Sequence, residues 1–341
     1  MQTDNHGRDA DPAAGTLLLT RSDVLATLDP KTCIEAVEQA FRMHGERRTL
    51  GPAMLGVHVP GGGFHVKAAG LLLDRKYFAA KTNANFPDNG RRFGLPTIQG
   101  TVVLCDADDG RPLALMDSMA LTALRTAAAT AVAAKHLARR EARSVALGGC
   151  GVQAAAQLDA LAALIPISIV YVVDLDAARA TRFAAETAAR LDLAVEVRGD
   201  LHAAALAADI VVTCTSSREA ILAEGDVAPG AFIAAVGADN PEKQEIAPAL
   251  MAAANVVVDE LDQCAEIGDL HHAIAAGAMT KERIHASLGE IVAGKKPGRR
   301  RDDEIFVFDS TGIAIQDVAA AAVVYRNALA AGRGRRIDFA S

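Results

Sequence analysis

Tryptophan is absent from this 341-residue sequence, and cysteine is rare, with five residues in all. The cysteines are Cys33, Cys105, Cys150, Cys214 and Cys264. They are odd in number, widely spaced and include no CxxC pair, so neither a disulfide framework nor a zinc site is predicted. No uninterrupted run of about 18 apolar residues occurs, and no membrane span is therefore predicted. We expect a cytoplasmic protein with free thiols.

A basic, apolar leader is not expected either. Residues 1–14 are polar and acidic, a composition that differs from a secretory signal peptide and indicates a disordered tail. Acidic side chains outnumber basic ones, 42 against 35, and the net charge of −7 argues against a nucleic-acid-binding or anionic-membrane surface. Hydrophobic residues make up 51% of the chain, enough for the cores of two domains.

The first half of the chain has the pattern of a sheet. Residues 51–115 carry short apolar runs separated by Gly, Pro, Asp and Asn. Runs such as Met54–Val59 and Phe64–Ala68 predict a mainly antiparallel sheet with one helix against it. Residues 117–136 predict a long helix of small residues, which places Arg125 about two turns in.

From residue 143 onwards, short β-branched runs alternate with amphipathic stretches. The runs are Ser144–Leu147, Ile167–Val173, Ala194–Val197, Ile210–Cys214, Phe232–Val236, Val256–Val258 and Ile305–Phe308. Alternation of this kind predicts an α/β domain, a Rossmann-like, doubly wound parallel sheet. A final helix, Ile315–Leu329, is expected to cross back onto the first half. We therefore assign residues 15–125 and 314–341 to a mainly antiparallel α+β domain and residues 126–313 to the parallel one.

Gly148–Gln153 is the most informative local feature. It follows a predicted strand and opens a predicted helix, the setting of a dinucleotide fingerprint, although Ala154 stands where a third glycine is usual. Gly149 and Gly151 let the backbone approach a pyrophosphate, and free amides at the helix start bind its charge. Asp174 ends the next strand, where an acid accepts hydrogen bonds from the ribose and repels a 2′-phosphate. The pattern predicts NAD as the cofactor, with NADP as the alternative.

Four stretches together resemble the ornithine cyclodeaminase/mu-crystallin family, in the same order along the chain. They are Leu121–Ala128, Gly149–Gln153, Ala235–Pro241 and Phe308–Asp317. The resemblance implies a homodimer whose first domain binds the substrate and joins sheets across the interface. It also implies that the Rossmann-like domain binds the cofactor and that catalysis occurs in the cleft between the domains. The step shared by the family is hydride transfer between nicotinamide and the α-carbon of a small amino or imino acid.

The resemblance also implies roles for individual residues. Lys81 matches a lysine that contacts the substrate carboxylate, Arg125 an arginine beside substrate and cofactor, and Asp239 an acid that relays a proton. Arg48, or its neighbour Arg47, loosely matches a further cationic contact near the entrance. The matches to cofactor-contacting positions are Thr97, Arg125, Val152, Gln153, Asp174, Thr213, Val236 and Ser310, and Thr311 matches a position close to the substrate.

These residue types suit the chemistry, but each also has a plainer interpretation. A cationic group fixes a carboxylate for hydride transfer, and an acid or a polarising lysine protonates a C=N bond. Arg125 could instead pair with a carboxylate between the domains, Lys81 could be a solvated strand residue, and Asp239 could initiate a turn. His271 and His272 have no third ligand at suitable spacing, so we expect a helix-end pair and no metal.

Lys67 departs from the pattern of the ornithine-specific members. It falls near the position at which those members carry an acid that receives the amine of the substrate side chain, and a lysine there would repel an ammonium group. Unless Lys67 points into solvent, it suits a neutral cyclic imine or a second carboxylate.

The leading hypothesis is therefore an NAD(P)-dependent imino-acid (ketimine) reductase. Examples are the conversion of pyrroline-2-carboxylate to L-proline and of iminosuccinate to L-aspartate. An ornithine or lysine cyclodeaminase that recycles NAD is the first alternative. A non-catalytic, mu-crystallin-like protein that binds a small molecule is the second.

Overall fold

Two β-sheets and the helices around them make up the structure, a computed structural model that describes residues 15–73 and 75–339. The tail predicted for residues 1–14 lies outside the described residues. No helix within the described ranges is long and apolar enough to cross a membrane. All five cysteines are free thiols.

Strands dominate the first part of the chain, and helices alternate with strands in the remainder. The first part contains β1 (Thr16–Leu19), α1 (Arg21–Thr27), α2 (Pro30–Gly45), β2 (Thr49–Val59), β3 (Gly62–Leu72), β4 (Lys76–Asn85), α3 (Asn89–Phe93), β5 (Ile98–Asp106) and β6 (Pro112–Asp117). The middle part contains α4 (Ser118–Leu137), β7 (Ser144–Gly148), α5 (Val152–Ala162), β8 (Ile169–Val173), α6 (Ala177–Leu191), β9 (Ala194–Val197), α7 (Leu201–Leu206), β10 (Ile210–Thr213) and β11 (Phe232–Ala235). The last part contains α8 (Pro248–Ala253), β12 (Asn255–Val258), α9 (Leu261–Ile267), α10 (Asp269–Ala275), a 3₁₀ turn (Lys281–Arg283), β13 (Ala286–Ser287), α11 (Leu288–Val292), β14 (Phe306–Asp309), α12 (Ala314–Ala330) and β15 (Arg335–Ile337).

The first sheet has seven strands in the order β15-β1-β6-β5-β4-β3-β2. All neighbouring strands are antiparallel except β1 and β6, which confirms the predicted mainly antiparallel sheet. β2 and β3 are longer than predicted, with 11 residues each. Gly51 and Pro52 lie at an irregularity within β2, and Gly62, Gly63 and Gly70 lie within β3. Glycine and proline are typical of turns, so the sequence pattern predicts strands that begin too late and, for β3, also end too early.

The second sheet has eight parallel strands in the order β13-β12-β14-β11-β10-β7-β8-β9. This is the doubly wound arrangement that the alternation of strands and helices predicted. The chain starts at β7 inside the sheet, adds β8 and β9 on one side and then continues from β10 on the other. The carboxyl ends of the strands share one edge, and the order reverses between β7 and β10. A ligand crevice is expected at that point.

Helix α12 returns the chain to the first sheet, as predicted. It contacts α2, β3 and β4, and all its residues from Ala314 to Tyr325 are buried. Its alanines let the helix lie close against the strands. Its first turn therefore carries two polar side chains, Gln316 and Asp317, into the interior. Helix α4 contacts β5 of the first sheet and β11 of the second, and the predicted domain boundary at residue 125 falls inside it.

Two glycines allow α2 and α11 to approach closely. Gly45 is the last residue of α2, and a Cβ built on it would overlap the carbonyl oxygen of Gly289 in α11. The main chains are therefore in direct contact at this point, and an added methyl group would force them apart.

We expect Gly45→Ala to lower the free energy of unfolding by about 1–3 kcal/mol, the usual cost of overpacking. Gly90→Ala in α3 is the control, because a Cβ there has no neighbour nearer than 3.9 Å. Urea unfolding followed by circular dichroism measures both variants. Equal stability of the two would contradict the close contact of α2 with α11.

Candidate active site

A cleft of about 1250 Å³ lies between the two sheets. One wall is formed by β3, β4 and α4 and includes Lys67, Lys81 and Arg125. The opposite wall is the carboxyl edge of the parallel sheet, where the loops after β7, β8, β10, β11 and β14 meet. The cleft therefore brings together side chains from distant parts of the sequence.

The loop after β7 is shaped to receive an anion. Gly149 has a φ of +95°, a conformation that favours glycine, and its amide donates to the carbonyl of Val173 at 2.8 Å. Gly151 precedes α5 without a side-chain cap, and a Cβ on it would have no neighbour within 4 Å. The first amides of α5 are thus open to the cleft, and the helix dipole adds positive potential there. A pyrophosphate group fits this position.

Asp174 both faces the cleft and holds this loop. Its carboxylate accepts hydrogen bonds from the amides of Cys150 at 2.9 Å and Asp176 at 2.8 Å. The guanidinium of Arg179 lies 3.6 Å from the same carboxylate. Each oxygen retains a lone pair, so the carboxylate can still accept a hydrogen bond from a ribose hydroxyl group.

Lys81 and Arg125 share one buried counter-ion, Asp317 in the first turn of α12. Lys81 Nζ lies 2.8 Å and Arg125 Nε lies 2.9 Å from Asp317 Oδ1. Arg125 also donates to Gln316 Oε1 at 2.7 Å. The three charged residues are at most 4% exposed. Because side chains buried this deeply lose their hydration, each charge depends on the others.

Lys67 connects this cationic wall to the parallel sheet. Its Nζ donates to the carbonyl oxygens of Thr311 at 3.0 Å and Gly312 at 2.7 Å, in the loop after β14. Gly312 has a φ of +76°, and a Cβ on it would lie 2.5 Å from Arg125 Nη1. Lys67 therefore points into the cleft and not into solvent, and only glycine fits opposite Arg125.

The wall has an excess of positive charge. Lys67, Lys81 and Arg125 line it, and Asp317 is the carboxylate that pairs with Lys81 and Arg125. The charges of Asp239 and Asp259 also act on Lys67. Burial and the charge of Arg125 lower the pKa of Lys81 to about 7, and the same two causes lower the pKa of Lys67. Burial alone would raise the pKa of Asp317, but Arg125 and Lys81 lower it overall. A carboxylate that enters the cleft would balance this charge.

Asp239 lies in the loop after β11, and its carboxylate accepts a hydrogen bond from Lys243 Nζ at 2.7 Å. The cleft walls partly desolvate this carboxylate, which by itself would raise its pKa. The charges of Lys243 and Lys67 outweigh that effect and lower the pKa of Asp239. Asp239 is therefore ionised at neutral pH, with a carboxylate that faces the cleft.

Most of the residues singled out in the sequence line the cleft. They are Lys67, Lys81, Arg125, Gly149, Gly151, Val152, Gln153, Asp174, Val236, Asp239, Ser310 and Thr311. Both interpretations of Arg125 hold, because its guanidinium pairs with a carboxylate and also faces the cleft. Lys81 is buried and is not a solvated strand residue.

Three of the sequence-based assignments do not reach the cleft. Arg48 is exposed after the end of α2 and pairs with Glu46 at 3.0 Å. Thr97 is exposed, although the residues on either side of it line the cleft. Thr213 is the last residue of β10 and is fully buried, whereas Cys214 beyond it faces the cleft. In an extended chain, a shift of one residue reverses the direction of the side chain.

The histidine pair lies inside α10, with His272 in its last turn, whereas the sequence predicted a pair at a helix end. The ring of His271 bonds to the carbonyl oxygen of Ala265 at 3.3 Å, and the ring of His272 bonds to that of Lys243 at 2.8 Å. One nitrogen of each ring is thus bonded to the backbone.

Asp317 is the site residue whose role the sequence did not reveal. It ends the family-like stretch Phe308–Asp317, but it lies 236 positions from Lys81. A contact over that distance in sequence has no local signal. The one clue was the presence of an acid in a helix rich in alanine and valine.

Comparison with known proteins identifies similar chains of nearly the same length. A family model described as the ornithine cyclodeaminase/mu-crystallin family matches residues 15–332. An archaeal alanine dehydrogenase dimer with bound NAD is 36% identical, with a TM-score of 0.91, and the match covers 95% of this chain and 99% of that one.

Two reductases of known structure are also similar. The Δ1-pyrroline-2-carboxylate reductase of Thermococcus litoralis, solved with NADH and L-proline, is 32% identical with a TM-score of 0.91, over 94% of this chain and 100% of that one. The iminosuccinate reductase of Paracoccus denitrificans, solved with NAD⁺, is 33% identical with a TM-score of 0.87, over 95% and 99% of the two chains.

We expect Asp317→Asn to lower the free energy of unfolding by about 3–5 kcal/mol at neutral pH, because Lys81 and Arg125 would stay buried without a counter-ion. Asp108→Asn is the control, since it removes only the exposed partner of Lys76 and should leave stability close to that of the wild type. Urea unfolding measures both. A loss no larger than that of the control would show that Asp317 does not hold the two cations.

Proposed function

Because this chain belongs to the ornithine cyclodeaminase/mu-crystallin family, we propose that it is an NAD(P)-dependent imino-acid (ketimine) reductase that forms a small L-amino acid. The observation that carries the proposal is the position of Lys81 and Arg125 across one cleft from the glycine loop at Gly149 and Gly151. A carboxylate bound by the cations would share the cleft with a dinucleotide bound at the loop. NAD is the preferred cofactor, because Asp174 repels a 2′-phosphate.

The cationic wall binds and orients the substrate. Lys81 and Arg125 donate charged hydrogen bonds to the α-carboxylate, and Lys67 lies beside the substrate together with Thr311. Holding the carboxylate at two points fixes which face of the C=N bond is presented to the parallel sheet. When bound, the nicotinamide cofactor supplies the hydride. Burial of the basic residues keeps water away from the reacting carbon.

Lys81 is the proton donor that we favour. A C=N bond accepts a hydride more readily when its nitrogen is protonated. Lys81, with a pKa of about 7, carries a proton near neutral pH and releases it easily. Asp239 is ionised at neutral pH, so it carries no proton to donate to the imine.

Lys67 distinguishes the reductase from the cyclodeaminase. Its ammonium group is held in the cleft by two carbonyl oxygens. It would repel the side-chain ammonium of ornithine or lysine, but it tolerates the neutral ring of pyrroline-2-carboxylate and attracts the second carboxylate of iminosuccinate. A cyclodeaminase is therefore the second candidate.

A non-catalytic binding protein is the third candidate. Binding alone does not require a buried lysine whose pKa lies near neutrality, whereas proton transfer does. The combination of Lys81 with Asp317 therefore favours an enzyme.

We also propose a homodimer that forms at the free edge of the first sheet. Of the two edge strands, β15 and β2, the edge meant is that of β2, which exposes Leu50, Leu55 and Val57. An open edge with large apolar side chains favours pairing with another chain. Residues 15–125 and 314–341 would then serve both substrate binding and dimerisation, and residues 126–313 would bind the dinucleotide. The free thiols favour a reducing compartment and hence the cytoplasm.

The proposal is tested by following NADH and NADPH oxidation with a panel of imino acids. The panel contains pyrroline-2-carboxylate, piperideine-2-carboxylate, oxaloacetate with ammonia, and pyruvate with amines. We expect stoichiometric NADH oxidation with at least one of them, because Lys67 accepts a neutral or an acidic side group. Release of ammonia from ornithine without net NADH oxidation would favour the cyclodeaminase instead. Binding of NADH without any turnover would favour the binding protein.

We expect kcat/KM for the imino acid to fall as the pH rises above about 7. Lys81 is cationic below its lowered pKa and neutral above it, so the free enzyme loses both a carboxylate ligand and a proton donor. Lys81→Arg is the matched variant, because a guanidinium group stays charged, and its KM for the substrate should not rise with pH. A kcat/KM of the wild type that stays constant up to about pH 9 would exclude this role for Lys81.

A further inference from the structure

Three buried acids connect the loops that form the parallel-sheet wall of the cleft. They are Glu245, Asp269 and Asp309, and each is 0% exposed. Within the described ranges, their hydrogen bonds come from backbone amides and a hydroxyl group, not from basic side chains. Of the three, Glu245 contacts residues that line the cleft.

Glu245 joins the end of β10 to the end of β11. Its Oε1 accepts hydrogen bonds from the amide of Thr215 at 2.6 Å and from the hydroxyl of Thr215 at 2.7 Å. Its Oε2 accepts from the amide of Gly237 at 2.7 Å. Thr215 and Gly237 both line the cleft, whereas Glu245 does not. One carboxylate therefore sets the separation of two neighbouring loops.

The space around this carboxylate is restricted. A Cβ on Gly237 would lie 2.5 Å from Glu245 Oε1, so the carboxylate can approach only because residue 237 is glycine. Burial raises the pKa of Glu245, and the donors on Thr215 and Gly237 oppose that rise. An ionised carboxylate can accept all three of these hydrogen bonds, because both of its oxygens are acceptors. In a carboxamide, the NH₂ group would replace one oxygen and would face either the donors of Thr215 or the donor of Gly237.

The main chain at Glu245 is connected through Asp269 to Asp309, the last residue of β14. Asp269 Oδ1 accepts from the amides of Glu245 at 2.8 Å and Ile246 at 2.9 Å. Asp309 accepts from the amides of Asp269 at 3.3 Å and Leu270 at 2.9 Å. Asp309 is the last residue of β14, directly before the cleft-lining loop. The three acids thus fix the loops after β10, β11 and β14 relative to one another.

We propose that Glu245 is a positioning residue for the dinucleotide. It holds the loops after β10 and β11 at the spacing that the cofactor requires and acts through Thr215 and Gly237 without touching the cofactor. The inference rests on the proposed function, because it presupposes that a dinucleotide lies along this wall. Loss of the carboxylate should weaken cofactor binding more than substrate binding, since Lys81 and Arg125 lie on the other wall.

Asp209 provides a matched control at the opposite edge of the same sheet. It precedes β10, and its carboxylate accepts from the amides of Arg143 at 2.8 Å and Ser144 at 3.0 Å and from the Ser144 hydroxyl at 2.7 Å. It thus joins β7 and β10 at their amino ends, away from the cleft. Asp209 also pairs with the guanidinium of Arg139. Asp209→Asn therefore breaks one ion pair in addition to a comparable set of hydrogen bonds, and it does so away from the cleft wall.

The experiment titrates NADH into the wild type, Glu245→Gln and Asp209→Asn and follows protein-bound NADH fluorescence. Both variants should have a lower Tm. Only Glu245→Gln should raise the Kd for NADH, by at least about tenfold, and it should raise the KM for NADH more than the KM for the imino acid. Gly237→Ala disturbs the same contact from the other side and should act in the same direction, even if Glu245→Gln does not fold.

Two results would overturn the inference while leaving the proposed function intact. One is NADH binding within about threefold of the wild type in Glu245→Gln or, if that variant does not fold, in Gly237→Ala. The other is an equal loss of binding in Asp209→Asn, which would assign the effect to general destabilisation. If the wild type binds neither NADH nor NADPH, the proposed function fails, and the inference fails with it.

Discussion

A single buried carboxylate, that of Asp317, compensates two buried cations, and much of the structure follows from this requirement. Lys81 and Arg125 cannot leave water without a partner, so α12 must return to the first sheet to supply one. The alanines of α12 let it pack closely enough, and Gly312 leaves room for the guanidinium. The same arrangement leaves a surplus of positive charge toward the cleft, and this surplus is what suits the site to an acid.

The two walls of the cleft bind anions by different means. On the first wall, long basic side chains carry full charges, and a bound carboxylate neutralises them. On the second wall, the glycine loop and the start of α5 offer backbone amides and a helix dipole, which stabilise a phosphate. Asp174 holds this loop through the amide of Cys150, and the guanidinium of Arg179 lies beside its carboxylate. Because the two kinds of anion site lie on opposite walls, the substrate carboxylate and the cofactor phosphate bind at different places.

The sequence predicts the features that have local signals. Alternating strands and helices, the glycine loop and Asp174 each depend on neighbours in sequence, and all are found where expected. Lys67 could be placed near the substrate, but its two carbonyl partners could not be foreseen. Thr213 was one residue from a cleft-lining position, and in a strand that difference reverses the side chain. The sequence could not identify Asp317 as the counter-ion of Lys81, because Asp317 lies on a helix far along the chain.

The distance in sequence between Lys81 and its counter-ion has a consequence for biosynthesis. The ribosome delivers the chain from its amino terminus, so β4 and α4 emerge long before α12. Until then, their basic head groups must stay hydrated, and the core of the first sheet cannot close around them. Helix α12 thus completes the site, and the nascent chain acquires a substrate pocket only after α12 has emerged from the ribosome.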